Sequence, residues 1–191
     1  EAQSTVNSYA FATVSYSVVD GAQNWVRLYS GSGFSDRASC IASDFNGDIY
    51  VSGKSRFSIA TIKYRGSDGV ELWSAVEGGD TEVHDLVVDL AGDLYVVGYS
   101  AEGFLTSKHQ GGSGALSWSR AFGTPGESRG YSAVIDSIGN VSVIGLDYLE
   151  GAYSYVVVSY NAGTGGDNWV SRPNVESESN RSSASIKVAP D

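Results

Sequence analysis

Few side chains in this sequence could carry chemistry, and their spacing limits what they could do. Histidine occurs twice, as His84 in "EVHDL" and His109 in "SKHQ". On a strand, residues two apart share a face. Glu82 and His84 could therefore form a general-base or two-ligand pair, with Asp85 pointing to the opposite side. Zinc needs three or four ligands, and no His/Cys cluster supplies them. His109 stands where sister segments carry tyrosine, and reads as a packing residue. "DFNGD", Asp44 to Asp48, places oxygen atoms at positions one, three and five, as calcium loops do. Sister segments have Ala91 and Ile138 at position three, and no acidic residue follows at the bidentate distance. Turn formation accounts for these aspartates without an ion. Cys40 is the sole cysteine, so no intramolecular disulfide forms, and "RASCIASD" reads as a strand bearing a small thiol. No nucleophile elbow, P-loop or dinucleotide fingerprint is present. No catalytic, metal or cofactor-binding residue is assigned on these grounds.

Composition narrows the partners. With 22 acidic against 12 basic residues the net charge is −10, a field that repels phosphate backbones and anionic lipid surfaces. Nucleic acid is excluded as a partner, and no apolar run is long enough to insert in a membrane. Asn140-Val141-Ser142 and Asn180-Arg181-Ser182 are N-glycosylation triplets, with Asn140 and Asn180 as acceptors. Together with 24 glycines, 12 tyrosines and no methionine, they point to an extracellular or cell-surface protein. The surplus of Tyr and Trp also suits stacking against glycans.

The elements that must position these residues are announced by repetition. "DFNGDIYVSG" (Asp44 to Gly53) returns as "DLAGDLYVVG" (Asp89 to Gly98) and "DSIGNVSVIG" (Asp136 to Gly145). Its aspartates are 45 and 47 residues apart, and Gly47, Gly92 and Gly139 keep the same register. Trp25, Trp73, Trp118 and Trp169 recur in antiphase, at intervals of 48, 45 and 51. In the second unit, β-type segments bounded by turn residues fall at about 38–43, 48–52, 58–64 and 70–75. No window carries a sustained helical spacing. Four short strands per unit of this length predict an all-β fold of β-propeller blades, each of four antiparallel strands. The "D-x-x-G-[DN]" turn joins first and second strands, its glycine taking positive φ. The closing glycine is expected to end the second strand. Each tryptophan is expected to be buried between neighbouring blades.

The phrase, then an aromatic-rich "[IV]-x-K-Y"-like strand (Ile62, Lys63, Tyr64), then "G-x-x-x-W", resembles the SBBP-type β-propeller repeat and is similar to the delta-60 repeat. The third unit departs from it with "SKHQ" and the fourth with "VVSY". The resemblance implies a propeller blade and, in many members, secretion. It implies little about activity.

The units fall at about 8–33 (a partial blade), 34–80, 81–125 and 126–174, with the first strand of a further blade at 184–191. About four blades' worth of chain is present. This phase is read as part of a larger propeller, with a closed four-bladed ring as the alternative. The chain opens on Glu1 without a basic-then-apolar leader, which is read as a processed or internal start. The function expected is a secreted or surface structural or protein-interaction module within a larger assembly. Its partners would be other copies or the rest of a longer chain. A carbohydrate-binding propeller is the alternative, and a propeller hydrolase the third choice.

Overall fold

The structure, a computed structural model, describes residues 9–31, 35–79, 81–173, 176–177 and 183–188. Asn180 and Asp191 lie outside the described residues. Among the described residues the secondary structure is all β, and every ladder is antiparallel. β1 (Phe11–Tyr16) and β2 (Gln23–Tyr29) form a two-stranded sheet. β3 (Asp36–Ser43), β4 (Ile49–Ser55), β5 (Ser58–Tyr64) and β6 (Glu71–Glu77) form a meander in chain order. The pattern repeats in β7 (Glu82–Val88), β8 (Leu94–Ser100), β9 (Gly103–His109) and β10 (Leu116–Phe122). It repeats again in β11 (Arg129–Ile135), β12 (Val141–Leu149), β13 (Ala152–Tyr160) and β14 (Asp167–Ser171), where the short β15 (Glu176–Ser177) also pairs with β13. These meanders are β-propeller blades, with the first strands β3, β7 and β11 side by side.

The repeated turn is built by one carboxylate. Asp44 Oδ1 accepts the backbone N–H groups of Asn46 at 2.9 Å and Asp48 at 3.0 Å, and Asp89 and Asp136 do the same in their units. Gly47, Gly92 and Gly139 share φ of 82°, 85° and 89°. The closing glycines differ from expectation. Gly53, Gly98 and Gly145 lie inside β4, β8 and β12, which run on to Ser55, Ser100 and Leu149. Each faces a β-bulge in the first strand, at Ser39, His84 and Tyr131. The bulge tips a carbonyl onto the glycine: a Cβ at Gly98 would stand 1.8 Å from the oxygen of Glu82, and one at Gly53 2.0 Å from that of Arg37. At Gly53 and Gly98 the crowding is within one blade, between its first two strands, whereas at Gly145 the Phe104 ring of the preceding blade also stands 2.8 Å from the Cβ position.

Blades are joined by tryptophan. The indole Nε1 of Trp25 donates to Gly66 O at 2.9 Å, that of Trp73 to Gly111 O at 2.9 Å, and that of Trp118 to Ala162 O at 3.0 Å, each in the next sheet. These three rings are buried, and each fills the space over a glycine of positive φ: Gly69, Gly114 and Gly165. Trp169 differs. Its ring is 50% exposed, because no sheet lies beyond β14 among the described residues to receive it. Ser185 to Val188 also differs from its expected strand: it has no ladder partner among the described residues, and Lys187 and Val188 line an open cleft with Ser43, Val88 and Ile135 of the first strands.

Gly98→Ala is expected to lower unfolding stability by roughly 3 kcal/mol, since backbone must move to admit the methyl group. Gly78→Ala, with nothing near its Cβ position, is expected to stay within about 0.5 kcal/mol. Urea unfolding of the two variants checks this.

Candidate binding surface

The bulges that crowd the glycines also redirect side chains. Freed from the strand alternation, the His84 ring stacks on the bulged Tyr131 of the next blade, centroids 5.3 Å apart and planes 16° off parallel. His84 Nδ1 donates to Gly130 O at 2.7 Å, which fixes the tautomer and turns Nε2 outward. Beside this pair, the Arg129 guanidinium lies over the Tyr99 ring, 4.6 Å from its centroid. The Tyr153 hydroxyl donates to the Glu127 carboxylate, and Tyr153 packs on Tyr148 at 4.8 Å. All these rings are half-buried, at the end of the blades where first strands begin and second strands finish. Burial raises the Tyr131 phenol above its ordinary value against the opposing charge of Arg129, so it is a neutral hydrogen-bonding group near neutral pH. The result is a rigid aromatic surface with one guanidinium and one imidazole.

Other residues singled out by sequence have different surroundings. Glu82 and His84 do come together, Oε2 to Nε2 at 3.8 Å, but no group of three ligating side chains exists among the described residues. Asp44 is fully engaged: Oδ2 accepts Lys63 Nζ at 3.0 Å and the Tyr50 hydroxyl at 3.2 Å. Burial alone would raise its pKa; the bonds and charge of Lys63 outweigh this and hold it below the usual carboxylate range. Asp89 repeats the arrangement with Lys108 and Tyr95, whereas Asp136 bonds Asn140 Nδ2 at 3.3 Å. That nitrogen is the one a glycan would occupy. Burial, with the nearby Asp85 carboxylate, pushes the Cys40 thiol up to about 11, which leaves it unreactive.

His109 sits fully buried in the tyrosine position. Its Nδ1 donates to Gly114 O at 3.2 Å, and Nε2 meets Glu77 Oε1 of the preceding blade at 2.7 Å. Ser107 Oγ lies 3.3 Å from the same Nε2. A proton relay needs the acid on the nitrogen far from the hydroxyl, so this is an ion pair clamping two blades. The His84–Tyr131 stack and the Arg129–Tyr99 contact were not read from sequence. A signal existed: Ser39, His84 and Tyr131 each stand five residues before a repeat aspartate.

No family model matches this chain, and neither does any curated protein. Solved structures do. BamB from Moraxella catarrhalis is similar at 14% identity with a TM-score of 0.60, over 84% of this chain and 42% of that one. Quinohemoprotein alcohol dehydrogenase from Comamonas testosteroni is similar at 16% identity with a TM-score of 0.53, over 71% of this chain and 21% of that one. The chain thus spans less than half the length of either. The shared feature is the β-propeller fold.

The ion pair at His109 gives a pH-dependent junction. Burial disfavours the imidazolium, but the hydrogen bond and charge of Glu77 outweigh it and raise the His109 pKa. A raised folded pKa stabilises fully below the unfolded value of about 6.5, and that contribution is lost as pH rises through the folded value. The stability lost in Glu77→Gln is therefore expected to be larger at about pH 6 than at about pH 9, measured by urea midpoints. Equal losses at both would remove the ion pair.

Proposed function

We propose that this chain is a structural or protein-interaction β-propeller module, of SBBP repeat type, acting in a secreted or surface setting within a larger assembly. One observation carries the reading: the surface formed by His84, Tyr99, Arg129, Tyr131 and Tyr153. Protein interfaces draw most of their binding energy from tyrosine, tryptophan and arginine held rigid before the partner arrives. These side chains are held by stacking and by hydrogen bonds to Gly130, Gly126 and Glu127. The extracellular setting is supported by the composition and by the two glycosylation triplets.

Glycan binding is the alternative. It is less well supported at this surface, since sugars stack on bare ring faces. Here Tyr131 has one face covered by His84, and Tyr99 one covered by Arg129. Selection from a random peptide display library tests the choice. Peptides captured by the wild-type chain are expected to lose at least roughly tenfold in affinity for Arg129→Ala and for Tyr99→Ala. A defined glycan retained on an array, with no peptide selected, would replace the protein reading with the carbohydrate one.

A further inference from the structure

Two successive junctions between complete blades carry different groups at the same two places. Seven residues before their repeat aspartates stand Glu82 and Arg129. Ten residues after the aspartate of the preceding blade stand Lys54 and Tyr99. In the first junction the pair is ionic, with Lys54 Nζ 3.9 Å from Glu82 Oε1. In the second, arginine replaces the acid and tyrosine the lysine. The Arg129 guanidinium there lies over the Tyr99 ring, 4.6 Å from its centroid. The ring is anchored in turn, its hydroxyl donating to Gly126 O at 3.4 Å.

This exchange leaves Arg129 without a counter-ion. Among the described residues its side chain makes no hydrogen bond and no ion pair, and its Nε is shut off from solvent with no acceptor. Other arginines have their forks filled. Arg27 and Arg120 each donate to two carbonyls of the next blade, and Arg172 reaches Asp147 Oδ2 at 2.8 Å. The acids of this end of the blades are already engaged: Glu127 accepts the Tyr153 hydroxyl, and Glu82 faces Lys54 and His84. A buried N–H without an acceptor destabilises a fold. What this one holds in place is a planar cation, flat against a ring, whose terminal nitrogens are uncommitted.

We propose that Arg129 binds a carboxylate of the partner protein, the side chain of an aspartate or glutamate. A guanidinium fixed in plane presents two parallel N–H groups, and a carboxylate accepts both. The partner's acid then supplies the opposite charge that Glu82 and Lys54 give each other one junction earlier. A singly charged group suits the place better than a phosphate, because Glu127 stands two residues away and the chain carries a net charge of −10. This inference rests on reading the chain as a protein-interaction module, and it names the group recognised on the partner.

Pools of synthetic peptides test it, alike in their random positions and differing in one fixed central residue: glutamate, glutamine, lysine or phosphoserine. Each pool is titrated against the immobilised full chain. The wild type is expected to bind the glutamate pool at least roughly tenfold more tightly than the glutamine pool. That gap is expected to narrow as salt rises. Arg129→Gln is expected to bring the ratio to about one, and Arg129→Lys to keep only part of it, since a point charge lacks the fork. Arg129→Glu is expected to turn the preference towards the lysine pool, a gain that a misfolded chain cannot show. Equal binding of the glutamate and glutamine pools by the wild type overturns the proposal and leaves the interaction reading standing. A glutamate preference that survives Arg129→Gln does the same, as does tighter binding of the phosphoserine pool. Retention of no pool overturns this proposal and the interaction reading together.

Discussion

An indole lying on a glycine turn is the contact on which the other features of this fold depend. A four-stranded sheet has two faces to cover, and a blade can cover them only with its neighbours. Trp25, Trp73 and Trp118 bridge successive sheets, each giving its ring to the next blade and its N–H to that blade's backbone. Deleting a buried ring of this kind costs about 3–5 kcal/mol. The hydrogen bond adds about 1 kcal/mol and, more importantly, fixes where on the neighbour the ring lands. Only glycine fits beneath it, both for its φ and for lack of space.

A second constraint acts inside each blade. The bulge in the first strand requires a glycine opposite it and, in return, turns one side chain out of the regular alternation. In β7 and β11 those side chains are His84 and Tyr131, which meet across the junction between blades. The candidate binding surface is thus a by-product of a packing device. Strand bulges commonly re-aim side chains in this way.

The Asp–Lys–Tyr cluster shows how tightly buried charge is coupled to its partners. Lys63 and Tyr50 are cross-strand neighbours, as are Lys108 and Tyr95. In the third complete blade the paired positions are Ser142 and Ser159. Lysine and tyrosine are lost together. A lysine left buried without its carboxylate and phenol would carry an uncompensated charge, whereas two small hydroxyl residues carry none. Burial works against the charge of Lys63 and Lys108; the hydrogen bonds they donate to Tyr50 and Asp44, and to Tyr95 and Asp93, outweigh it and hold both protonated. Asp136, lacking a lysine, retains only its turn-forming role.

The sequence by itself determined the all-β class, the four-stranded unit and the turn chemistry of Asp44, Asp89 and Asp136. These follow from local rules, since strand patterning and the positive φ of a tight turn are properties of a few consecutive residues. The strand at Ser58–Tyr64 was legible to the residue; neighbouring strands ran two or three residues further where a partner extended the ladder. The burial of three tryptophans and the exposure of the fourth were decided by tertiary structure alone. All four share one motif, and what differs is whether a sheet stands beyond them among the described residues. Gly98 and its sisters likewise look like strand ends in sequence, and only the carbonyl pressed against them from another strand explains the residue. The His84–Tyr131 stack is a relation between residues 47 positions apart. Contacts at that separation are set by how blades pack, and no local pattern encodes them.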